Sequence, residues 1–101
     1  VEFEKKTIPG QMTILQNYPN PFNPTTKFTY TVNSPGRVSL KVYNVMGKLV
    51  RTIFQEYKEE GTFEVHWNGL DDNHQSISSG IYFYRFSMEG KSYTKKMILS
   101  K

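Results

Sequence analysis

Three observations predict an all-β chain folded as an antiparallel β-sandwich of about seven short strands. Apolar and polar residues alternate with a period of two over most of residues 25–100. No segment of useful length carries the helical period. Gly, Pro, Asn, Asp and Ser gather between the alternating runs, where turn chemistry needs them.

The elements follow in order. Residues 11–17, with Met12 and Ile14 or Leu15 apolar, form a plausible first strand. Asn17-Tyr18-Pro19-Asn20-Pro21-Phe22-Asn23-Pro24-Thr25-Thr26 comes next. Each of its prolines removes a backbone donor and fixes φ, and each Asn before a proline is biased toward extended geometry. Such a segment can follow a sheet edge but cannot be a central strand, so it reads as a stiff lead-in to the first hairpin. Residues 25–32 alternate Phe28, Tyr30 and Val32 against Lys27, Thr29 and Thr31. Ser34-Pro35-Gly36 places Pro and Gly where a type II turn wants them. Residues 37–43 alternate Val38, Leu40 and Val42 against Arg37, Ser39 and Lys41. Asn44-Val45-Met46-Gly47 is the next turn, with Gly47 supplying a positive φ.

Residues 48–54 are apolar on both faces (Leu49 and Ile53, Val50 and Phe54), which suits a strand covered on each side or bent at an edge. Residues 55–60 are polar and end at Gly61. Residues 62–68 point Phe63, Val65 and Trp67 inward, and the Asp-, Asn-, Ser- and Gly-rich stretch 68–79 is the longest loop. Residues 80–88 form a strongly aromatic strand, Glu89-Gly90 is a two-residue hairpin turn, and residues 91–100 close the chain with Tyr93, Met97 and Leu99 on one face. Short strands at this spacing are the pattern of an immunoglobulin-like sandwich, without the Cys-Trp-Cys hallmark of antibody domains. Residues 1–12 are expected to be a linker or the remnant of an upstream region, and 13–101 the domain. With no initiator Met, the sequence reads as a piece of a longer protein.

Composition narrows the function classes. A chain of 101 residues suits one domain with a two-layer core. Aromatic residues at 15% supply large units of buried area to fill it. The absence of cysteine excludes disulfides, thiol catalysis and cysteine-based zinc sites. The formal charge of +4 is scattered, with mild clustering at Lys91, Lys95, Lys96 and Lys101. That pattern favours a solvated surface over nucleic-acid binding, which shows a denser basic stripe. No apolar run approaches a membrane span, and Val1-Glu2-Phe3-Glu4-Lys5-Lys6 is not a signal peptide.

Chemistry is sparse. His66 and His74 are the only imidazoles, one on the outward side of a strand and one in the polar loop. Neither belongs to a nucleophile–base–orienter set, and a surface role is expected for both. Asp71-Asp72-Asn73 offers clustered oxygens but lacks the ordered ligand series and distal Glu of an EF-hand, so turn chemistry is favoured over a bound cation. No glycine-rich phosphate loop occurs, since Gly69 and Gly80 are isolated. No metal or cofactor is expected. Tyr82, Tyr84 and Phe86 share one strand face, and Ile81 and Phe83 the other. They read either as a central strand covered on both sides or as stacking rings for a sugar, with the core reading preferred. Burial of Tyr82, Tyr84 and Phe83 together would remove the motive for the sugar reading.

Four segments carry a family resemblance. Leu15-Gln16-Asn17-Tyr18-Pro19-Asn20-Pro21-Phe22-Asn23-Pro24, Gly47-Lys48-Leu49-Val50, Ser79-Gly80-Ile81-Tyr82 and Lys95-Lys96-Met97-Ile98-Leu99 occur in order. Together they resemble the type A C-terminal sorting domain of the bacterial type IX secretion system, the Por secretion tail, over residues 15–101. The immunoglobulin-like domain of the flagellar hook-capping protein is similar in its Gly…Val and Gly-Ile-Tyr elements, but the Pro-Asn-Pro lead-in followed by a terminal Lys-Lys strand favours the sorting tail.

The resemblance implies a non-catalytic secretion signal appended to a cargo protein of Bacteroidetes and allied phyla. The cargo would transit the periplasm and reach the cell surface or medium. Implied partners are the outer-membrane translocon, its shuttle proteins, a sortase-like peptidase and the upstream cargo domain. Cleavage would fall within or beside residues 1–12, followed in some members by surface attachment. The residues implied in translocon recognition are Pro19, Asn20, Pro21, Gly47, Gly80, Tyr82, Lys95, Lys96, Met97, Ile98 and Leu99. At least one of Lys95 and Lys96 must point outward, because neighbours in a strand face opposite sides. Phe22 is expected to plug one end of the sandwich, and Trp67 to sit centrally in the core, where replacement by Ala costs ~3–5 kcal/mol. The alternatives are a carbohydrate-binding module of a secreted enzyme and a structural spacer.

Overall fold

A computed structural model describes residues 12–101 as seven strands in two antiparallel sheets. They are β1 (Met12–Ile14), β2 (Thr26–Val32), β3 (Gly36–Asn44), β4 (Leu49–Lys58), β5 (Gly61–Trp67), β6 (Gly80–Met88) and β7 (Lys91–Leu99). One sheet has the order β1-β2-β5 and the other β4-β3-β6-β7. The expected immunoglobulin-like sandwich is therefore the fold. Apart from Met12, the expected linker 1–12 lies outside the described residues; Met12 itself belongs to β1 and is buried.

Alternation creates the core. In β2 every second residue, Thr26 to Val32, is buried, and in β3 Val38, Leu40 and Val42 are. From β6 come Tyr82, Tyr84, Phe86 and Met88, and from β7 Met97 and Leu99. Aromatic rings join the layers: Phe28 meets Tyr84 edge-on at 4.9 Å, and Tyr30 lies 5.0 Å from both Phe54 and Phe86. Each such ring contributes ~1.5–3 kcal/mol through burial. Trp67 is buried but packs on Phe22 at 5.7 Å, near the end of the sandwich rather than in this central cluster.

Two local expectations need revision. Gly36 is not the positive-φ residue of a type II turn; it opens β3, and a Cβ there would stand 2.5 Å from the Met88 methyl. Its missing side chain serves close packing instead. The polar stretch 55–60 does not end the strand, since β4 runs on to Lys58. Polarity there reflects an edge position, where one face needs no apolar cover. β4 is also bent, with register shifts between Leu40 and Lys41 and between Val42 and Tyr43 of its partner. Gly47 at φ 82° and the pair Glu89 and Gly90, at 49° and 82°, behave as turn residues should.

Candidate functional site

The lead-in joins the two sheets along one side. Leu15 donates to the Thr29 carbonyl at 3.0 Å, and Tyr18 exchanges both backbone bonds with Lys27. The chain then leaves β2 and reaches β7. The Phe22 amide donates to the Ile98 carbonyl, and the Ser100 amide donates to the Phe22 carbonyl, both at 2.9 Å. This bridge, Phe22 beside Leu99, is parallel. The bonds before Pro19, Pro21 and Pro24 are all cis.

Side chains extend the seam. Asn20 Oδ1 accepts from the Ile98 amide, and Gln16 Nε2 donates to the Lys96 carbonyl, both at 2.9 Å. The prolines supply no donors here, so Asn and Gln side chains complete the ladder that backbone would otherwise make. Beneath the seam, Asn17 and Thr26 are buried polar groups with full partners. Asn17 Nδ2 donates to Thr26 Oγ1 and the Pro19 carbonyl, and Thr26 Oγ1 donates to that same carbonyl. The Tyr84 hydroxyl accepts from the Asn17 amide at 2.9 Å and donates to the Leu15 carbonyl at 3.1 Å. Burial pushes its pKa up to about 12, against the hydrogen bond from Asn17, which favours the ionised form. The neutral hydroxyl therefore holds the lead-in at every ordinary pH.

Strand register brings the motif segments to one end of the larger sheet. Asn44 lies beside Tyr82 and Tyr82 beside Met97, while Gly80 faces Leu99. The β3–β4 turn containing Gly47, the start of β6 and the end of β7 thus share the end that the lead-in covers. Its exposed members are Pro19, Asn20, Pro21, Gly47, Lys96 and Ile98, with Lys95 and Gly80 half-buried. Tyr82, Met97 and Leu99 are buried and act through packing; the Tyr82 hydroxyl donates to the Ser78 carbonyl at 2.7 Å. Lys96 is the lysine that points to solvent, on the outer face, and Lys95 takes the inner face near the edge.

Gln16, Asn17, Thr26 and Tyr84 hold this corner together, although sequence reasoning assigned none of them to the site. The available signal was Asn17 itself, a polar residue at the close of an otherwise apolar-patterned strand. Phe22 does plug the end, buried with its ring tilted against that of Trp67.

The remaining candidates have local duties. Asp71 Oδ1 accepts from the Asn73 and Gln75 amides, and Asp72 Oδ1 accepts from the Thr52 amide. Among the described residues no group of three or more His, Asp or Glu side chains is placed to share a metal. His66 is exposed beside Lys27, and His74 sits in the loop at φ 64°. Tyr82 and Tyr84 are buried, while Phe83 is half-buried on the outer face beside Tyr43, over which Arg85 stacks at 4.7 Å. The preferred core reading therefore describes Tyr82, Tyr84 and Phe86, while Phe83 keeps part of its ring at the outer surface.

A family model described as the secretion system C-terminal sorting domain matches residues 16–100. No curated protein matches the chain. Among solved structures, dimeric latent PorU from Porphyromonas gingivalis is similar, with TM-score 0.74 and 22% identity over 95% of this chain and 10% of that one. PorZ, described as an essential bacterial surface component of the type IX secretion system of the same organism, gives 0.55 and 23% over 89% of this chain and 11% of that one. FlgD from P. aeruginosa gives 0.55 and 20% over 93% and 77%. At these identities the likenesses establish the fold. The chain spans about a tenth of the length of PorU and PorZ.

Proposed function

The chain belongs to the secretion system C-terminal sorting domain family, and from that premise we propose that it is a non-catalytic type IX sorting signal, read as a folded domain. Its recognised surface is the corner where the proline lead-in meets the end of β7. A cargo protein upstream is carried through the periplasm and across the outer membrane, and the outer-membrane translocon with its shuttle proteins reads this corner. A sortase-like peptidase then separates the cargo and joins it to the cell surface.

One observation supports this reading above the others. The two segments that most distinguish the family resemblance are far apart in sequence, yet they hydrogen-bond to each other through Phe22, Asn20 and Gln16. A surface built from both ends of a domain exists only when the domain is folded, so it reports folding as well as identity. Strand-edge recognition suits such a role, because main-chain pairing supplies affinity and alternate side chains select.

The test fuses the chain to a periplasmic reporter in a host with the system. Deleting residues 97–101 removes core residues as well as the surface, so Ile98→Glu, which changes an exposed position, is examined beside it. Surface arrival of the intact fusion and loss in both variants is expected. Equal arrival of all three would end the proposal.

A further inference from the structure

The lead-in covers only half of the β7 edge. Ile98 directs its amide and carbonyl away from β6, as does the Lys96 carbonyl. Antiparallel pairing alternates, so Thr94 and Ser92 direct theirs the same way. Among the described residues these groups have no partner, and nor does the Lys96 amide. The other long edge of this sheet differs: β4 is bulged, and Asp72 takes the Val50 carbonyl and the Thr52 amide.

Charge surrounds the open half. The outward positions of β3, β6 and β7 carry Arg37, Lys41, Arg85 and Lys96 and no carboxylate. Lys41 stands beside Arg85, and Arg85 beside Thr94. On the inner side Lys95 is half-buried at the rim, and among the described residues Lys91, Lys95 and Lys96 have no ion pair. Inward-pointing and flanking lysines oppose pairing between identical edges, since like charges would meet. They do not oppose an acidic strand.

We infer that the edge of β7 at Ser92, Thr94 and Lys96 accepts an extended, acidic segment of a partner protein by strand addition. The inference rests on the sorting reading and supplies the chemistry of its partner. The added strand exchanges backbone bonds with Ser92 and Thr94, its outward carboxylates reach Lys96, and its inward ones reach Lys95. It continues upward from the point where the lead-in stops, so both can occupy the edge together.

Titration of the isotope-labelled chain with a short peptide alternating Glu and Val, at two salt concentrations, tests this. Shifts and slowed exchange at the Ser92, Thr94 and Lys96 amides are expected, with no response to a Lys–Val counterpart. Thr94→Pro deletes an outward amide at an edge, where proline is tolerated. It should retain the fold and lose affinity about tenfold or more. The Lys95→Glu, Lys96→Glu double variant should reverse the preference between the two peptides. Equal binding to wild type and Thr94→Pro, competition by dextran sulfate with the same shifts, or no binding overturns the inference. In the reporter host both variants should export poorly. Normal export of both, with loss on deletion of 97–101, removes the strand-addition surface and leaves the sorting reading standing; export of the deletion removes the sorting reading itself.

Discussion

The two halves of β7 share one strand and one register with β6, yet their outer edges have opposite fates. From the Lys96 carbonyl to Ser100 the edge is occupied by Gln16, Asn20 and Phe22; at Ser92 and Thr94 none of the described residues pairs with it. Side chains follow the same division, with Met97 and Leu99 fully buried and Tyr93 38% exposed on the same face. Protection of an edge is thus set locally by what runs beside it. A proline-rich segment cannot be a ladder strand, but with amide side chains it makes a specific cover of limited length.

The largest expected effect comes from removing the cover's anchor. Phe22→Ala should destabilise the domain by ~3–5 kcal/mol in urea unfolding, as a buried ring between Trp67 and β7 is lost. Amide exchange at Ile98 and Ser100 should rise to meet that at Thr94, erasing the contrast between the halves.

Tyr84→Phe comes next, at ~1–3 kcal/mol near neutral pH, because the Asn17 amide and the Leu15 carbonyl lose a buried partner. The unfolded chain ionises this tyrosine near its ordinary pKa of 10.0, whereas the folded one holds its proton to about 12. The hydroxyl's contribution is therefore intact below pH 10 and fades as pH rises toward 12. The deficit of the Phe variant should narrow by up to ~1.4 kcal/mol per pH unit across that window. A deficit constant with pH would mean that the hydroxyl is not buried against the lead-in.

A pair of prolines sharpens the comparison most directly. Ile98→Pro removes an amide bonded to Asn20 and should cost ~1–3 kcal/mol, while Thr94→Pro should stay within ~0.5 kcal/mol. Equal costs would show that the halves are not different. The smallest change, Asn20→Ala, should cost ~0.5–1.5 kcal/mol and raise exchange at the Ile98 amide alone.

Much of this architecture was legible in the residues. Period-two alternation in β2, β3, β6 and β7 identifies core and solvent faces directly, because the strand geometry makes pattern and burial the same information. β4 was less legible: its polar end is still strand, since an edge tolerates polar residues that a loop also favours. Gly36 misled because glycine serves both turns and close packing, and only its contact with Met88 distinguishes them. The corner was legible as two separate motifs and not as one surface. Asn17, Thr26 and Tyr84 meet across long stretches of chain, and no local pattern encodes which hydroxyl a buried amide will find.

The parallel bridge between Phe22 and Leu99 has a mechanical consequence. Met12 faces Val32 at the end of β2, while Ser100 leaves beside Phe22 at the opposite end of the strands. Tension applied between Met12 and Ser100 therefore runs along the strands and loads the lead-in bonds in shear, all together, rather than peeling them singly. Pulled in that direction, the strands cannot separate until the clasp gives way, so the lifetime of the fold under load is set by the rate of that step.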